Sequence, residues 1–224
     1  PVAHSFPTRR SSDLPIAMKR ITPFATLPEA VRSLDNGGRF FDIFSKAQDG
    51  VISAAELGKA SQNLINTHHM ILFLELAMSR LDGNEQDLLL AKLDNSLQQQ
   101  YQQYHPHHLP ESQLEELAPE ASVFLHGTPQ PFEPASDFQA YIAFPIVINN
   151  MTIPTWVPLG DSYALYALEM RGEASPLLIA HPKGKHQLPP TPLKLTGVIK
   201  TFKTGEAEEA PDEKYVEIAY FCEA

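Results

Sequence analysis

AQDGVISAAEL, residues 47–57, gathers the side-chain oxygens of Asp49, Ser53 and Glu56 around Gly50, hard donors of the kind a divalent cation takes. Such ions take oxygen ligands from a tight turn, and Gly50 stands where the turn must bend. A second group is made of imidazoles: His68 and His69, then His105, His107 and His108 within four residues. Imidazole nitrogens suit transition metals. Pro106 interrupts the helical spacing here and no carboxylate lies beside the run, so adventitious nickel or zinc affinity is the expectation. A third set, His126, Asp161 and His181, falls at the ends of extended segments, where a hydrolase-like site would need them to converge. No nucleophile elbow, HExxH, phosphate loop or dinucleotide fingerprint occurs. Cys222 is the only cysteine, which excludes an internal disulfide, and it reads as a buried, inert thiol.

Aligned on Gly50, the first stretch resembles the twelve-position loop of the EF-hand family. Asp49, Val51, Ser53 and Glu56 then occupy positions 5, 7, 9 and 12, with Ile52 at the apolar position 8. RFFDIF resembles an entering helix and SAAELGKAS an exiting one. Ser45 and Ala47 stand at positions 1 and 3, where the family pattern has acidic or amide oxygens. The resemblance therefore implies at most a weak calcium site with two carboxylates. The same letters also spell a helix start. Ser53 and Glu56 have the spacing of a capping box, Ile52 and Leu57 that of a hydrophobic staple, and Asp49-Gly50 is a turn.

The elements that must position these groups fall into two textures. LPEAVRSL, RFFDIFSKA, SAAELGKASQNL and THHMILFLELAMSRL show helical periodicity. EQDLLLAKLDNSLQQQYQQY reads as one long final helix. MILFLELAM, Met70–Met78, is about half the length of a membrane span and carries Glu75, so it reads as a buried helix. HPHHLPESQLEELAPEAS is rich in proline and glutamate and reads as a linker. Beyond it, seven segments alternate with period two and are rich in Val, Ile, Tyr, Phe and Thr: SVFLHG, FQAYIAFPIVI, MTIPTWVPL, SYALYALEM, PLLIAH, LKLTGVIKTFK and KYVEIAYF. Asn149-Asn150 suits a two-residue hairpin loop. The pair LKLTGVIK and KYVEIAYF resembles the glycine-containing strand pairs of OB-type barrels.

The expected fold is α+β: an N-terminal helical domain over 18–104, a linker over 105–121, and a mostly antiparallel barrel or sandwich, loosely OB-like, over 122–224. Residues 1–17 are set apart, because HSFPTRRSSDL, His4–Leu14, resembles a translated sequencing adapter. Met18 is then the expected start, and a cytoplasmic location the expectation that goes with it.

A formal net charge of −10 argues against a phosphate-backbone binder, and an apolar share of 43% is that of an ordinary soluble chain. Neither nucleic acid nor membrane is expected as a partner, and no cofactor beyond weak calcium. Trp156, flanked by Pro154 and Pro158, is expected in the core of the β half. The leading expectation is a non-catalytic interaction or accessory protein with a protein partner. A weak calcium-responsive regulator and a hydrolase-like enzyme are the alternatives.

Overall fold

The computed structural model describes residues 17–37, 48–63, 66–108, 116–132, 140–148, 151–173, 175–184, 186–204 and 212–224. Helices dominate the first half: α1 (Leu27–Leu34), α2 (Ala54–Ser61), α3 (Thr67–Met78), α4 (Gly83–Leu90) and α5 (Asn95–Tyr104), with the short α6 (Leu159–Ser162) much later. The strands are β1 (Lys19–Arg20), β2 (His107–His108), β3 (Ser122–Pro131), β4 (Ala140–Ile148), β5 (Met151–Pro158), β6 (Tyr163–Met170), β7 (Leu177–Pro182), β8 (Leu193–Thr204) and β9 (Asp212–Glu223). The helix expected from RFFDIFSKA, the Asn149-Asn150 turn, and Ser45 and Ala47 lie outside the described residues.

Helices α1 to α5 each follow a short polar residue, and at all but α2 its side chain accepts an amide of the first turn. Asn66 accepts from His69 N–H at 3.3 Å, Asp82 from Glu85 N–H at 2.8 Å and Asp94 from Leu97 N–H at 2.8 Å. Thr26 does the same for α1. At α2, Glu56 reaches back to the Ser53 N–H at 2.8 Å, as the capping-box spacing predicts. The long final helix expected from residue 85 onward is instead two helices. Asp94 starts α5, and Leu93 just before it is drawn into a bridge with Ile52: Ile52 N–H donates to Lys92 O at 2.8 Å and Asp94 N–H to Ile52 O at 2.9 Å. A helix cannot run through a residue whose neighbours' backbone groups are spent on another segment.

The strands form one mixed sheet in the order β1-β9-β7-β6-β3-β8-β4-β5, with β2 on β3 and an additional pairing of β8 with β9. β1–β9, β2–β3 and β7–β9 are parallel, and the remaining pairs antiparallel. Pairings therefore run in a circuit through β3, β6, β7, β9, β8 and back to β3. Two glycines serve its crowded points. Gly127 is where β3 passes from pairing β8 to pairing β6, and a Cβ there would meet the Glu169 carbonyl oxygen at 2.5 Å. Gly197 lies at the register shift between β8 and β9, with the Glu217 carbonyl against it.

α3 is buried from Met70 through Met78 and lies on β3, β8 and β9. Its residues share one apolar cluster with Phe124, Val198, Ala219, Tyr220 and Cys222 of the sheet. Polar ties cross the same seam: Thr196 Oγ1 donates to Leu72 O at 3.2 Å and Lys194 Nζ to Ser79 O at 2.9 Å. The helical and strand-rich stretches therefore meet in a common core. A second cluster includes Val123, Leu125, Leu168, Ile179, Leu195 and Ile218, from strands β3, β6, β7, β8 and β9. The segment read as a linker contributes β2, where His107 and His108 pair with Val123 and Phe124. Among the described residues no helix is long and apolar enough to cross a membrane.

Candidate functional site

Glu75 is the one charged residue in the buried run of α3, and the surrounding structure is arranged around its carboxylate. Tyr101, on α5, donates its hydroxyl to Glu75 Oε2 at 2.7 Å. His108 Nε2 lies 3.2 Å from Glu75 Oε1. Burial pushes the Glu75 carboxyl up; the hydrogen bonds from His108 and Tyr101 and the proximity of His105 outweigh it and hold it below the usual carboxylate range. Burial first, then the Glu75 charge, pushes the Tyr101 phenol far up, so it stays a donor. His105 follows directly on α5 with its ring edge-on to Tyr101, and Pro106 turns the chain there into β2. That turn brings His108 back, its ring stacked on Phe124 at 4.7 Å. One ligand atom from each of Glu75, His105 and His108 lies within 4.8 Å of the others. The carboxylate that the histidine run lacks in sequence is thus supplied by a helix about thirty residues earlier. The signal for it was a lone acid in an apolar helix, which needs partners to be there.

In the calcium-like stretch, the described acids are engaged by protein donors. Glu56 is 2% exposed and accepts from Gly37 N–H at 2.6 Å, from Ser53 N–H at 2.8 Å and from Ser53 Oγ at 2.8 Å. Asp49 is exposed and accepts the Val51 N–H at 3.0 Å in a local turn. The backbone of the turn is gathered by Asp35, an acid outside the loop, which accepts from Gln48, Asp49 and Gly50. The chemistry present is a helix cap and a carboxylate-bound turn.

His126, Asp161 and His181 are not brought together. His126 is exposed on β3 beside Gly127, which pairs with Met170 at one end of β6. His181 pairs with Ala164 near the other end, six residues or about 20 Å along the strand. Asp161 is exposed on α6, whereas His181 is buried, its Nδ1 donating to Pro182 O at 2.9 Å and its ring stacked on Tyr166. Strand register separates His126 from His181, which the sequence only placed at strand ends.

Trp156 is also not the core residue expected of it. It is 39% exposed, with Lys203 Nζ 5.5 Å from its ring centroid. It sits at the base of an arm formed by β4 and β5, which pair from Tyr141↔Pro158 to Ile148↔Met151. Among the described residues, β4 reaches β8 only through Ala140 and Tyr141. Compared with known proteins, the chain matches no family model, no curated protein and no solved structure.

Proposed function

We propose that this protein is a non-catalytic interaction module: a helix-covered barrel of OB type that uses the β4–β5 arm to hold a second copy of itself. The barrel reading is supported by the five-strand circuit of β3, β6, β7, β9 and β8, all of which contribute to one apolar cluster. One observation carries the interaction reading. Past Tyr141, among the described residues, β4 and β5 pair only with each other.

A two-stranded hairpin alone is marginal in water, and three or more strands are needed to steady it. Two arms together make four. Composition favours a second copy as the occupant. The chain carries a net charge of −10, so most faces of two copies repel, yet Tyr141–Gly160 contains no charged residue. A two-fold contact needs only one such self-complementary patch.

Sedimentation velocity of the full chain over a concentration series tests the proposal. The chain should move as a dimer, and Ile146→Glu, which places an acid in the arm, should move as a monomer with unchanged helical circular dichroism. A monomer at every concentration, or a dimer unaffected by Ile146→Glu, would refute it.

A further inference from the structure

We propose that Glu75, His105 and His108 bind a transition-metal dication of the zinc class at the seam between α3, α5 and β2. The donor set is two imidazole nitrogens and one carboxylate oxygen, which suits zinc and its borderline neighbours rather than calcium or magnesium. The geometry is close to the bound one. Two ligand atoms at ordinary zinc distances on a tetrahedral centre lie about 3.3 Å apart, and Glu75 Oε1 and His108 Nε2 are 3.2 Å apart. All three donors fall within 4.8 Å of one another. His105 is exposed, so its ring can rotate to close the remaining gap, while Glu75 is fixed in a buried helix.

The surroundings have the form of a supporting shell. Tyr101 donates to Glu75 Oε2 at 2.7 Å, which orients the carboxylate and leaves Oε1 toward His108. Phe124 backs the His108 ring, and β2 fixes the His108 backbone to β3. Three protein ligands leave a fourth position toward solvent, open to water or to a donor from outside.

The test is isothermal titration of the full chain with zinc chloride, with cobalt substitution as a spectroscopic check. One equivalent should bind, and the cobalt form should show the visible absorption of a four-coordinate ion. His105→Ala and His108→Ala should each weaken zinc binding about ten-fold or more. His107→Ala, which alters the same histidine run outside the cluster, should leave it unchanged. Both His105 and His107 are exposed, so these variants should fold. Absence of zinc binding, or equal weakening by His107→Ala and His105→Ala, would overturn the site; the second result would mark adventitious capture by a histidine-rich segment.

Discussion

Asp35 Oδ2 accepts the amide of Gly50 at 2.8 Å, across fifteen residues of chain. Its other oxygen accepts Gln48 N–H at 2.6 Å, and the residue is 3% exposed. The turn that resembles a calcium loop is therefore shaped from outside by a buried acid at the end of α1, while Glu56 is held by Gly37 and Ser53. Asp35→Asn and Glu56→Gln each replace charged acceptors serving two or more donors, and each should lower unfolding free energy by about 2 kcal/mol. Urea denaturation in calcium and in chelator should give the same losses. A loss seen only in calcium would assign these carboxylates to the ion instead.

Glycine at 127 is a matter of space. A Cβ there would meet the Glu169 carbonyl oxygen at 2.5 Å and the Leu168 side chain at 3.0 Å. Gly127→Val should cost about 3 kcal/mol or prevent folding, because backbone of the neighbouring strand must move. Gly83, in the first turn of α4, has nothing within 4 Å of the same position. Gly83→Ala should stabilise by roughly 0.5 kcal/mol. Thermal melts of the two variants should move in opposite directions.

Stability should fall with acid through His69. Burial first, then the charges of His68, Lys200 and Lys19, lowers its imidazole from 6.5 to about 4, and its Nδ1 has no hydrogen-bond partner among the described residues. The unfolded chain then binds a proton that the folded chain refuses, so the contribution is full above about pH 6.5 and lost as pH falls toward 4. The loss should reach roughly 2–3 kcal/mol. Burial lowers His68 and His181 as well, so some slope remains after His69 is changed. Denaturant midpoints of wild type and His69→Gln, compared between neutral pH and pH near 4, should show a shallower fall in the variant. Parallel curves would contradict this assignment.

What the sequence made legible was local. Thr26, Ser53, Asn66, Asp82 and Asp94 each mark a helix start through contacts within a few residues. The β-rich segments after residue 122 all became strands because period-two patterning survives without knowledge of partners. The misses involve distant pairing. Leu93 ends a helix because Ile52 claims its neighbours, a contact some forty residues away. Glu75 meets His108 only once α3 lies on the sheet and Pro106 has turned the chain. His126 and His181 part because strand register, which no single segment encodes, sets them at opposite ends of β6. Trp156 is exposed on a strand that, among the described residues, pairs along one side only.

Hydrogen exchange along residues 142–157 tests self-association through the arm most directly. Amides in a lone hairpin open readily, whereas those in a four-strand contact are protected. Protection of the arm should therefore rise with protein concentration while that of α3 stays constant, and Ile146→Glu should abolish the rise. Arm amides that exchange at the same rate at every concentration would contradict the proposal.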